Sequence, residues 1–229
     1  LPPGETAPPY EKVGFSPSLY DRLTNARLAT SQRILARLLG DNTPGSDVSA
    51  DEAVAAFKDR SIHRGKIPGK PKDEGYKIWA LAKHGFIYEF LWHSFAKGPQ
   101  GLQDRWTASE TKGGLDPSNT EAAVLELVDR LPQDSRHTVW LDNYFTSVRL
   151  LPQLRDQGVG AADTVKNSQS TGIDPRLLNL RNQPKDKIDW GRLFAAVTTD
   201  GKVLQLGWKD SILVLFMTTA FTGKEKVAK

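Results

Sequence analysis

The seven residues Leu141-Asp142-Asn143-Tyr144-Phe145-Thr146-Ser147 combine an apolar strand, an acid and a helix start. Thr138-Val139-Trp140-Leu141 reads as a short buried strand, and Ser147 stands where a helix N-cap would stand. A carboxylate held at the end of a central strand is positioned to bind a divalent metal for phosphodiester chemistry on nucleic acid. The plainer reading of Asp142 is a turn or capping residue that satisfies backbone donors. A second chemical feature is the basic loop of Arg60, His63, Arg64, Lys66, Lys70 and Lys72, with Lys77 just beyond it. Several cations in one loop can neutralise phosphates. Asp59, Asp73 and Glu74 dilute that field, and a solvated loop is the plainer reading.

Other chemistries find little support. The four histidines, at 63, 84, 93 and 137, lack zinc-ligand spacing, and the chain has no cysteine. That absence removes disulfide frameworks and thiolate metal sites. Gly65-Lys66-Ile67-Pro68-Gly69-Lys70 does not have phosphate-loop spacing, and Ser147 has no histidine placed for a hydrolase triad. The run Ile212–Met217 is much shorter than the roughly 20 residues of a membrane span. Neither a membrane nor a small-molecule substrate is indicated. A net charge of +4 is compatible with nucleic acid without requiring it.

The elements around these residues predict a mixed α/β chain. Residues 1–47 form a Pro-rich lead-in followed by a helical segment over 18–39, a candidate for self-association. Asp51-Glu52 opens a short predicted helix to Phe57. Tyr76–Ala82 and Phe86–Ser94 read as a hairpin about Lys83-His84-Gly85, with a further short strand at 102–106. Apolar positions at 124, 125, 127, 128 and 131 predict an amphipathic helix over 121–131. A second helix spans 148–157 and stops at Gly158, and 159–165 reads as a strand. A polar stretch over 167–186 shows little periodicity. Strands are then expected at 192–198, 203–208 and 212–219, the first two joined by Asp200-Gly201. The division is 1–47, a core over 48–166, and a β-rich segment over 167–229.

Four segments carry a resemblance to piggyBac-type transposases of the DDE superfamily. Asp51-Glu52 with Phe57 and Arg60 resembles the family's entry block, and Ile67-Pro68, Lys70-Pro71 and Gly75-Tyr76-Lys77-Ile78-Trp79 its second. Leu141–Ser147 resembles its most diagnostic string. Trp208-Lys209-Asp210 with Val214–Thr219 resembles a later one. The resemblance covers roughly residues 48–221. It implies an RNase H-like mixed sheet flanked by helices, with a β-rich insertion near the C-terminus. Three Asp residues, from the first strand, the fourth strand and a late helix, would bind two divalent metals, Mg2+ or Mn2+, about 4 Å apart. The implied activity is cut-and-paste DNA transposition at TTAA sites, and the implied location is the nucleus.

On that pattern Asp142 matches the second acid. Counting along the strand that begins at Gly75 places Lys83 at the first, and the chain reaches Lys229 before a third appears. The chain opens without Met or a signal-peptide pattern and reads as a truncated fragment. The family's cysteine-rich zinc module is not in it, and its conserved turn reads Asp163-Thr164-Val165-Lys166. A Lys83–Asp142 ion pair is therefore expected, with the ammonium supplying the charge a metal would bring. That reading makes the domain inactive, without cofactor, and a DNA binder at most through Arg60, Arg64, Lys66, Lys70 and Lys72. The alternatives are an active transposase whose remaining acid lies outside this chain, and a non-enzymatic interaction module.

Overall fold

The computed structural model describes residues 45–56, 58, 65–67, 73–83, 85–93 and 116–221. The expected helix at 18–39, the strand at 102–106 and the loop residues Arg60, Arg64, Lys70 and Lys72 lie outside them. Nine strands and three α-helices occur among the described residues: β1 (Asp47–Ala56), β2 (Gly65–Lys66), β3 (Glu74–Lys83), β4 (Phe86–His93), α1 (Asn119–Asp129), β5 (Thr138–Leu141), α2 (Leu150–Asp156), β6 (Gly160–Thr164), α3 (Pro175–Arg181), β7 (Leu193–Val197), β8 (Leu204–Lys209) and β9 (Leu213–Thr218). The strands make one mixed sheet in the order β2-β3-β1-β5-β6-β9-β8-β7, with β4 paired to β3.

Two halves meet in that sheet. β1, β3 and β4 form an antiparallel meander, and β5 and β6 then add parallel to β1. This is the RNase H-like arrangement. β9 pairs antiparallel with β6 and carries β8 and β7 outward, so the β-rich segment extends the same sheet.

The first strand corrects the sequence reading. Asp51–Phe57 was expected to be helical because Ala, Asp and Glu dominate it, yet Asp47–Ala56 is a strand. Its alternation decides the matter: Val48 and Ala50 are buried while Ser49 and Asp51 face solvent. Hydrogen bonding on both edges, to β3 and to β5, overrides a weak helix propensity. The hairpin of β3 and β4 forms as expected, with Gly85 at φ 86°. α2 stops at Gly158, whose φ of 80° reverses the chain into β6. The polar stretch after 167 hides α3, which begins at the N-cap Asp174 with Pro175 in its first turn.

The core lies on one face. Ala122, Ala123, Leu125 and Val128 of α1 and Leu150, Leu151 and Leu154 of α2 are fully buried, and they join Val48, Leu81, Val139 and Ala161 of the sheet. Each large apolar side chain so buried contributes roughly 1.5–3 kcal/mol. The same cluster continues through Leu177, Val203, Leu215 and Met217 under α3. On the alternate positions Ser49, Asp51, Trp140, Leu193 and Trp208 point away from it and are exposed.

Candidate active site

Two acids lie near the point where β5 ends, Asp51 midway along β1 and Asp142 just after β5. The parallel register pairs Asp47 with Thr138 and Ala50 with Leu141. One step further along, Asp51 continues β1 and Asp142 is the first residue after β5. Both are exposed, and both follow a buried residue, Ala50 and Leu141. Asp51 Oδ1 accepts the Glu52 N–H at 2.6 Å.

The segment after β5 fixes Asp142. Its Oδ1 accepts the Tyr144 N–H at 2.7 Å, and its carbonyl accepts from Phe145 N–H at 3.0 Å and Thr146 Oγ1 at 3.1 Å. The turn role is thus real, and it occupies one carboxylate oxygen. Among the described residues Oδ2 has no hydrogen-bond partner, and Asp142 makes no ion pair. Asp163, on β6, lies close enough for its charge and that of Asp142 to repel. Burial, foremost, and then the neighbouring Asp142 hold the Asp163 carboxyl above its ordinary range, against the pull of hydrogen bonds from Thr164.

A buried acid anchors this segment from behind. Ser118 and Glu121 form a capping box at the start of α1: Glu121 N–H donates to Ser118 Oγ at 3.3 Å, and Ser118 N–H to Glu121 Oε2 at 2.7 Å. Ser147 Oγ donates to Glu121 Oε1, and Arg149 reaches Glu121 Oε2 at 3.3 Å. Ser147 Oγ in turn accepts the Leu150 N–H at 3.1 Å. The N-cap of α2 is Arg149, two residues after the Ser147 expected there, and Ser147 instead binds the Leu150 N–H from the turn before the helix. Glu121 escaped the sequence reading, but the spacing Ser118-Asn119-Thr120-Glu121 was its visible signal.

The structure does not bring Lys83 to Asp142. Ser49 pairs with Ala82, so Lys83 stands opposite the start of β1, whereas Asp142 stands beside Asp51. Three residues along the strand and two strands across separate their backbones by roughly 14 Å. Lys83 Nζ instead lies over Gly45, where a Cβ would come within 1.7 Å. Its charge helps to hold the Asp47 carboxyl low, behind hydrogen bonds from Ser46 and Trp140. The expected ion pair is not formed, because β1 and not β3 is the strand beside β5. Asp51 is the acid that the fold aligns with Asp142.

Of the basic loop, Lys66 is described, and it pairs with Asp73 at 3.1 Å in solvent. Lys77 pairs with Glu52 at 2.6 Å and lies 4.0 Å over the Trp79 ring. Sequence reasoning also passed over Tyr144, which is 52% exposed although Phe145 and Thr146 are buried.

A family model described as Transposase IS4 matches residues 32–229. The chain belongs to the IS4-type transposase family. Within it the resemblance is to piggyBac-type members. The human protein PiggyBac transposable element-derived protein 2 is 26% identical over 167 residues, which cover 70% of this chain and 24% of that protein. The piggyBac transposase of a cryo-EM synaptic complex with hairpin DNA superposes with a TM-score of 0.63 at 20% identity, covering 94% of this chain and 42% of that one. This transposase-family domain thus spans about a quarter of that relative and under half of the solved transposase. Among its described residues no group of three or more His, Cys, Asp or Glu side chains converges to hold a metal.

Proposed function

We propose that this domain binds DNA and presents Asp51 and Asp142 as a carboxylate pair for metal-assisted phosphodiester chemistry, the DDE-type reaction of its family. The observation that carries this reading is the parallel register of β1 and β5, which pairs Ala50 with Leu141, the residues just before the two exposed acids. Hard carboxylate oxygens suit Mg2+ or Mn2+, and Mg2+ is commonly held by one or two carboxylates together with substrate phosphates. When bound, such an ion polarises the phosphodiester and activates the attacking oxygen. Asp51 and Asp142 Oδ2 would be its protein ligands, while the Glu121 network holds the Asp142 segment still. Lys83 takes no part, so the argument for an inactive domain built on it falls away.

DNA binding without cutting is the second reading. It is favoured by the lack of a three-carboxylate group among the described residues.

Fluorescence anisotropy with a labelled duplex across a salt series, in Mg2+ and then in EDTA, tests both. Binding or cutting that requires Mg2+ and fails in Asp51→Asn supports the first. Binding that falls steeply with salt and ignores EDTA supports the second. No binding at low salt would overturn both.

A further inference from the structure

We propose that Tyr144 is a stacking platform for an unpaired nucleotide at the Asp51–Asp142 edge; this rests on the reading of that edge as a DNA-processing site. Scattered exposed aromatics are ordinary on protein surfaces. Tyr144 differs in being built into the site. Its backbone N–H is tied to Asp142 Oδ1, so the ring keeps a fixed place relative to that carboxylate. The ring is braced from within. Trp79 lies nearly parallel to it, 13° between planes and 6.5 Å between centroids, and Phe145 meets it edge-on at 5.6 Å. Trp79 and Phe145 are themselves buried, so the brace is part of the core.

The charges beside the ring suit a nucleotide. Lys166 Nζ sits 4.2 Å from the Tyr144 centroid on an exposed side chain, and it makes no ion pair among the described residues. Lys77, 5.9 Å from the same ring, is already neutralised by Glu52. Lys166 is thus the cation able to leave the ring. An exposed cation–π contact is weaker than stacking of a base on an aromatic side chain. A base can therefore displace the ammonium from the ring, and the released Lys166 can follow the adjoining phosphate. In a closed duplex each base already stacks on its neighbours, so the platform selects a nucleotide in an overhang, a strand end or a flipped position. The backbone next to that nucleotide is then carried to Asp51 and Asp142.

The test uses the full chain in EDTA at low salt, with a duplex bearing a short single-stranded overhang that contains 2-aminopurine, and the same duplex without the overhang. The wild-type chain is expected to quench 2-aminopurine and to bind the overhang duplex about ten-fold tighter than the blunt one. Tyr144→Phe keeps both properties. Tyr144→Leu loses the quenching and the ten-fold preference. Lys166→Met lowers the salt slope of overhang binding by about one. If Tyr144→Leu quenches and discriminates as the wild type does, the platform is refuted while DNA binding stands. If the wild-type chain binds neither duplex, the reading beneath the proposal fails and takes the proposal with it.

Discussion

At the N-terminal end of β1, Asp47 accepts hydrogen bonds from Ser46 at 2.8 Å and Trp140 Nε1 at 3.1 Å and feels the charge of Lys83, so its carboxyl stays low. Four residues on, midway along β1, Asp51 lies one step past the Ala50–Leu141 pair, next to Asp142, which meets backbone donors and a neighbouring acid, Asp163. One position gathers donors and a cation around its acid. The other gathers acids. Mutual repulsion of carboxylates is a cost that a bound cation relieves, and a fold keeps such an arrangement where the cation is used. Asp47 is thus held by its structural partners, whereas Asp51 and Asp142 carry the proposed chemistry.

The contrast can be broken by substitution. The largest effect is expected at the acid pair: Asp51→Asn or Asp142→Asn should weaken Mn2+ binding by on the order of 100-fold, since even outer partners of metal ligands are worth about 10–100-fold. Comparable metal binding in these variants and the wild type would remove the site. Next is the support behind it. Glu121→Ala strips the capping box and leaves Ser147 and Arg149 without their shared acceptor, and should cost about 2–3 kcal/mol in urea unfolding. A loss below about 0.5 kcal/mol would show that Glu121 does not anchor the segment.

Asp163 sharpens the comparison through pH. Its folded pKa is raised above the ordinary 3.8, so the folded state holds the proton more tightly than the unfolded chain does. That contribution is present at low pH and is lost as pH rises from about 3.8 through the raised value. Asp163→Asn should therefore raise the melting temperature modestly at pH 7 and leave it unchanged near pH 3. An equal shift at both values would contradict a carboxyl held high by its burial. The smallest effect belongs to the N-terminal end of β1. Lys83→Met should change stability by less than about 1 kcal/mol and leave Mn2+ affinity within roughly two-fold. A larger change in affinity would reinstate Lys83 in the site.

Much of this fold could be read from the residues. The hairpin about Gly85, the helix of Val124, Leu125 and Val128, the strand at 138–141 and the three C-terminal strands all follow from periodicity and turn chemistry. β1 did not, because DVSADEAVAA contains mostly helix formers and weak strand formers. What makes it a strand is pairing with β3 on one side and β5 on the other, which local sequence does not encode. The same miss bears on the site. With β1 read as helix, the count began on β3 and reached Lys83, although Asp51 was already in view as part of the entry block. α3 was missed although Asp174-Pro175 marks a helix start, since the polar residues around it masked the three leucines behind.

The most direct measurement is isothermal titration of Mn2+ into the full chain and into Asp51→Asn, Asp142→Asn and Lys83→Met. The expected result is binding in the wild type and Lys83→Met that both acid substitutions weaken by on the order of 100-fold. Binding that Asp51→Asn leaves unchanged, or that appears only once Lys83 is removed, would contradict the pairing of Asp51 with Asp142.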